Sequence, residues 1–144
     1  MEEKMQKITL RVHNLQEVDG EKNEMDMTVV GTASLQSPRL ELCYSEYDEE
    51  MHETKTRVCV EENRFVSVTR EGQYASQMLF ECGKRNTTAY KTPYGDLMMG
   101  MYTKRIDNRM TWLDGTLQGS LTFSYTTDFA GQGGIENEMT LTIL

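Results

Sequence analysis

The feature that most constrains this chain is a two-residue alternation of apolar and polar side chains. Ile8, Leu10 and Val12 are interleaved with Thr9, Arg11 and His13, and Leu40, Leu42 and Tyr44 with Glu41, Cys43 and Ser45. Successive side chains of a β-strand point to opposite faces, so each run describes a strand with one face inward and one outward. The rhythm returns at Met25, Met27 and Val29, at Thr56, Val58 and Val60, at Val66 and Val68, at Met78 and Phe80, and at Leu97, Met99 and Met101. Towards the end, Leu117, Leu121, Phe123 and Tyr125 are expected on one face and Gln118, Ser120, Thr122 and Ser124 on the other, before Met139, Leu141 and Ile143 close the chain. Composition agrees, with seventeen Thr against four Ala, because β-branched residues suit strands and Ala suits helices.

Turn signals separate the runs: Asp19-Gly20, Ser37-Pro38, Glu62-Asn63, Glu71-Gly72, Cys82-Gly83, Tyr94-Gly95, Asp114-Gly115 and the glycines at 131–134. Strands of this length joined by hairpin turns predict an all-β antiparallel meander of roughly eight to ten strands. A sheet of that size curls into an up-and-down barrel, which removes its exposed edges. Residues 1–144 read as one domain, long enough to bury a core without disulfides or metals.

Fifteen Lys and Arg against 23 Asp and Glu give a net charge of −8. The basic residues are scattered, so nucleic acid and anionic membrane are not expected partners. The start of the sequence lacks a basic and then apolar leader, and no apolar run is long enough to span a bilayer. Cys43, Cys59 and Cys82 are odd in number and widely spaced, which suits free thiols in a reducing compartment; a cytoplasmic location is expected.

Catalytic and cofactor signatures are weak throughout. Glu46, Asp48, Glu49, Glu50, His52 and Glu53 hold many oxygens but lack the glycine and alternating carboxylates of a calcium loop, and read as a solvated hairpin tip. The two histidines, His13 and His52, lie on different segments and supply no multi-histidine metal site. A nucleophile–base pair would need Cys43 and His13 on paired strands. The glycines at 131–134 fall between strands and do not open a helix, so they read as a hairpin loop and not as a phosphate cradle. No catalytic residue, metal site or cofactor is assigned.

A spaced set of residues runs through the chain: Leu42, Tyr44 and Glu46; Thr56 and Val58; Arg70 and Gly72; Met78, Phe80 and Gly83; Tyr90; Thr92-Pro93-Tyr94-Gly95; Met99 and Thr103; Tyr125 and Asn137. The combination Arg-x-Gly, Met-x-Phe-x-x-Gly and Thr-Pro-Tyr-Gly at these spacings resembles the YwiB-like family of small bacterial proteins of unknown function. The resemblance implies a calycin-like, lipocalin-type barrel and carries no reaction, cofactor or catalytic residue.

A barrel of about eight strands either fills its interior with side chains or holds one small ligand. Eleven Met residues, many on inward stripes (Met25, Met27, Met78, Met99, Met101 and Met139), suit an adaptable apolar lining and fill core gaps equally well. Glu46, Arg70, Tyr90, Tyr125 and Asn137 lie on or beside apolar strands, where a polar group needs a partner. Arg70 with a tyrosine is suited to a carboxylate or phosphate head group; alternatively Arg70 pairs with Glu46 or points outward beside the Glu71-Gly72 turn. The candidate ligand-binding residues are Arg70, Tyr90, Tyr125, Glu46 and Met99, for a small apolar or amphipathic molecule. Residues 90–95 should form a sharp corner with Tyr90 and Tyr94 packed on either side. The competing expectation is a homodimer or protein-docking module using an outer patch that contains Val30, Met98, Tyr102 and Leu144.

Overall fold

In the computed structural model, which describes residues 4–72 and 75–144, the chain folds entirely into strands and turns, with no helix among the described residues. The strands are β1 (Lys4–Val18), β2 (Glu21–Gln36), β3 (Arg39–Tyr47), β4 (Glu53–Glu61), β5 (Phe65–Glu71), β6 (Ser76–Glu81), β7 (Arg85–Thr92), β8 (Gly95–Asn108), β9 (Thr111–Leu113), β10 (Thr116–Gln118), β11 (Ser120–Phe129) and β12 (Gln132–Ile143).

Ten of them form one antiparallel sheet in the order β6-β5-β4-β3-β2-β1-β12-β11-β8-β7, and β9 and β10 form a separate two-stranded hairpin. Neighbours in space are neighbours in sequence, except that β12 returns beside β1 and the β9–β10 hairpin is bypassed. The sheet is a nearly closed, calycin-like barrel whose seam lies between β6 and β7. The Asn86 side chain of β7 caps the Leu79 carbonyl of β6 across it at 3.1 Å, and in the turn joining the two strands the Gly83 N–H donates to the Thr103 carbonyl of β8 at 2.8 Å while the Lys84 carbonyl accepts from the Thr103 N–H at 3.2 Å. These bonds cover backbone groups that an open edge would present to another chain.

The hairpin chemistry follows from the turn residues. Asp19-Gly20 and Asp114-Gly115 both hold positive φ at their two central positions, the conformation whose twist matches that of the flanking strands. Thr92 pairs with Gly95 across the turn at residues 93–94, so the expected corner between two strands is present. Tyr94 does not pack there: it is 99% exposed. The Tyr90 side chain lies outside the described residues, and of Tyr90 only its backbone pairing with Leu97 is described.

The inward stripes of the sequence become the core. Leu10, Leu42, Val60, Val66, Phe80 and Leu121 are fully buried. Phe80 sits 5.0 Å from Phe123 and 4.5 Å from Tyr125, ring centroid to ring centroid, in the tilted arrangement that aromatic pairs favour. Leu117 departs from expectation. It belongs to β10, separated from β11 by Gly119, and its buried side chain caps the core at one end of the barrel with its cross-strand partner, the partly buried Trp112, leaving a depression of about 320 Å³ beside them. The Leu117 N–H donates to the Gln6 side chain at 2.7 Å, which ties this plug to β1.

The opposite end is not plugged. β2 pairs with β3 only from Gly31 opposite Tyr44 onward, and above that point the two strands separate. A Cβ on Gly31 would meet the Cys43 carbonyl oxygen at 2.1 Å, so the closest approach of the two strands needs a residue without one. Beyond it, β2 continues as an arm paired with β1 alone, and Met25, expected inward, borders the cavity at this end while remaining 59% exposed.

Candidate interior binding site

Polar residues occupy inward positions towards the unplugged end. On β1 the inward period of Ile8, Leu10 and Val12 continues as Asn14 and Gln16. Pairing sets Tyr44 opposite Thr56, Thr56 opposite Arg70, and Arg70 opposite Ser76, a row across β3 to β6. A second row runs through Gln16, Asn137 and Tyr125. Here the Gln16 amide donates to the Asn137 side-chain oxygen at 3.1 Å, and the Asn137 amide donates to the Ile135 carbonyl at 3.0 Å and to the Thr127 hydroxyl at 3.3 Å. Asn137 is thereby satisfied although buried.

These rows bound two adjoining cavities, of about 330 Å³ and about 240 Å³, that share Asn14, Gln16, Arg70 and Met139. The first lies under the separation of β2 from β3 and adds Met27, Glu46, Thr54 and Ser76. The second lies over the aromatic floor and adds Met78, Phe80, Met99, Phe123 and Tyr125. A further depression of about 270 Å³ lies between Val30, Lys55 and Arg57 and also borders Tyr44 and Thr56.

The structure thus brings Arg70, Glu46, Tyr125 and Met99 to one connected space, while the Tyr90 side chain lies outside the described residues. Arg70 does not point outward, and it makes no ion pair with Glu46 or any other carboxylate among the described residues. Its Nε is a buried atom without a hydrogen-bond partner there, as are the Glu46 Oε1 and the Asn14 Oδ1. Such atoms normally find partners. The field of these charges is felt by the tyrosines. Burial pushes the Tyr44 hydroxyl up to about 12, with the Glu46 carboxylate adding to the rise and Arg70 opposing it. Burial likewise raises Tyr125, again against Arg70.

Asn14, Gln16, Thr54 and Ser76 were not singled out by the sequence. The available signal was that Asn14 and Gln16 keep the parity of Leu10 and Val12, so an unbroken strand had to turn them inward.

Other candidates separate. His13 on β1 and Cys43 on β3 are kept apart by β2, so no nucleophile–base pair forms between them; His13 instead faces Glu24 at 3.7 Å. The acidic run at 46–53 is a tight turn: the Asp48 carboxylate accepts the Glu50 and His52 backbone N–H groups at 2.9 and 2.8 Å and faces the His52 ring at 3.0 Å. The exposed Val30 and Leu144 both flank Thr9 of β1, whereas Met98 and Tyr102 lie on β8 beyond β12 and β11, so they do not form one patch. No helix is long and apolar enough to cross a membrane.

Fold and site together define a ten-stranded antiparallel barrel-like protein, plugged at one end and hollow with a polar lining at the other. Residues 10–143 match a family described as a domain of unknown function (DUF1934), and the chain belongs to that family, the YwiB-like one. The crystal structure of the ywiB protein from Bacillus subtilis is similar, with a TM-score of 0.73 and 24% sequence identity over 97% of this chain and 93% of that one, a likeness of fold. No curated protein matches the chain.

Proposed function

We propose that this protein is a non-enzymatic binding barrel that takes a small, largely apolar molecule into its interior. The observation that carries the reading is the cavity of about 240 Å³ over Phe80, Phe123 and Tyr125, walled by Met78, Met99 and Met139 and continuous with a polar chamber. Small-molecule sites are concave and mostly apolar, with a few placed polar groups. Methionine walls adapt to a guest, and the Leu117 plug closes the far end. The free thiols of Cys43, Cys59 and Cys82 support a cytoplasmic, reducing location.

The test uses the neutral apolar fluorophore N-phenyl-1-naphthylamine. Wild-type protein is expected to enhance its emission saturably, and Met99→Phe and Met78→Phe, which fill the cavity from β8 and from β6, to weaken binding at least about tenfold. No enhancement, or unchanged binding by both folded variants, overturns the reading. Native mass spectrometry of protein purified from its own host then gives the mass of any retained molecule.

A second reading, a dimer or partner-docking face, draws support from β8, where the consecutive Leu97 and Met98 are both exposed, at 49% and 54%. A concentration-dependent dimer in sedimentation that Met98→Glu abolishes supports it; a monomer at high concentration counts against it.

A further inference from the structure

The polar chamber holds one cation and one anion that do not neutralise each other. Arg70 and Glu46 line the same cavity without an ion pair, and each keeps a buried atom with no partner among the described residues. An isolated charge in a partly buried site is costly, and a protein that merely packed its interior would close the pair or replace both residues. Asn14 adds a second unpartnered acceptor, its Oδ1, on the wall shared by both cavities. The lining therefore offers one charged donor and two acceptors, one of them charged.

A simple anion satisfies Arg70 but meets the Glu46 carboxylate, and a simple cation meets the reverse. A molecule bearing both charges, with an acceptor for the Arg70 Nε and a donor for Glu46 and Asn14, satisfies all three. Arg70 also borders the aromatic cavity, whereas Glu46 borders only the chamber beneath the β2–β3 separation. That placement orients the guest: ammonium towards Glu46, anionic group at Arg70, apolar body over Phe80 and Phe123.

We infer that the ligand is a small zwitterion, an ammonium beside a carboxylate or other anion on an apolar body; this rests on the interior-binding reading proposed above. The test is calorimetric titration with L-phenylalanine and 2-aminooctanoic acid. Each is compared with its counterpart lacking the amine, 3-phenylpropionate and octanoate, and lacking the carboxylate, 2-phenylethylamine and heptylamine. At least one amino acid is expected to bind, and to bind at least about tenfold more tightly than both of its counterparts, because a site with unpaired polar groups rejects the analogue that leaves them unpaired. Arg70→Met should erase the advantage over the amine and Glu46→Gln the advantage over the acid. Arg70→Gln serves as the second variant should the first fail to fold.

A carboxylate-only compound that binds as tightly as its zwitterion overturns the inference, as does failure of both amino acids to bind or to displace the naphthylamine fluorophore. If the fluorophore still enters the wild-type barrel and is excluded by Met99→Phe, only the zwitterion assignment falls. If it never enters, the interior-binding reading falls with it.

Discussion

Removing the two interior charges together should make the ligand-free protein more stable. In Arg70→Met/Glu46→Leu, side chains of similar reach replace a half-buried guanidinium and carboxylate whose Nε and Oε1 atoms are buried with no hydrogen-bond partner among the described residues. Replacing buried ionic groups by apolar ones of similar volume is commonly neutral or stabilising by about 1–4 kcal/mol. A buried hydrogen-bonding atom left unmade costs about 1–3 kcal/mol by itself. Because neither group forms an ion pair among the described residues, the substitution forfeits none there, and the upper half of the range is expected. For a chain of 144 residues, a midpoint moves by roughly 3–4 °C per kcal/mol, so the melting temperature should rise by about 8–16 °C. Urea unfolding followed by the fluorescence of Trp112 checks the same quantity, with the midpoint rising at unchanged slope. Either single substitution should gain less, since it relieves only one of the two unmade hydrogen bonds. A double variant that melts below wild type would mean that the pair contributes to folding, and the argument that these residues are kept for a guest would fail.

Leu117→Ala should cost about 2–5 kcal/mol, since Leu117 is 2% exposed and seals the barrel end, and calorimetry should register the loss. Gly31→Ala forces a Cβ into the Cys43 carbonyl, so hydrogen exchange should show loss of protection in β2 and β3 near Thr32 and Leu42 while β11 and β12 keep theirs. Tyr44 is held neutral up to about 12 from an ordinary 10, so the stability it contributes is complete below pH 10 and is lost as the pH rises towards 12. Tyr44→Phe should flatten that alkaline loss in denaturant melts. Arg11 lowers Asp26, the His52 and Glu50 backbone N–H groups with the His52 ring lower Asp48, and Arg85 with the Gly131 N–H lowers Asp128. Carboxylates depressed on folding stabilise above their unfolded value and lose that contribution as pH falls through the folded one, so replacing all three by Asn should shallow the acid limb of the stability curve.

Much of the architecture was legible because a period of two leaves little freedom. Once Leu40, Leu42 and Tyr44 face inward, Glu46 must follow, and the same parity carries Val66 and Val68 to Arg70. What the alternation does not encode is where neighbouring strands part. The separation of β2 from β3 begins beyond the close approach at Gly31, and it leaves Met25 and Met27 at the wall of an open cavity, with Met25 still 59% exposed, instead of packed in a closed core. The β9–β10 hairpin was hidden for a related reason. Leu117 has the parity of Leu121 and Phe123, and only the backbone at Gly119, with φ of +102°, breaks the strand into two. Tyr94 was expected to pack on one side of the corner, yet it sits in the two-residue turn between Thr92 and Gly95, where its side chain is 99% exposed.

The inward polar residues also bear on whether the interior is a byproduct of folding. Shifting any one strand by a single residue would send its polar members to the solvent face, but would send its apolar members with them. On β5 that would expose Val66 and Val68 along with Arg70, so Arg70 is carried inside by the burial of its neighbours. A chain selected for stability alone escapes this bind more simply, by placing an apolar residue at position 70, as it does at 66 and 68. Here the same exception recurs at Asn14, Glu46, Thr56, Arg70, Ser76 and Asn137, on separate strands, and towards the end that Leu117 does not plug. Independent strands carry polar residues to one end of one space, and partners among the described residues satisfy Asn137 but not the Asn14 Oδ1, Glu46 Oε1 or Arg70 Nε atoms. Three unmet hydrogen-bonding atoms around a cavity are a recurring cost, and a ligand that supplies their partners is the condition under which that cost is recovered.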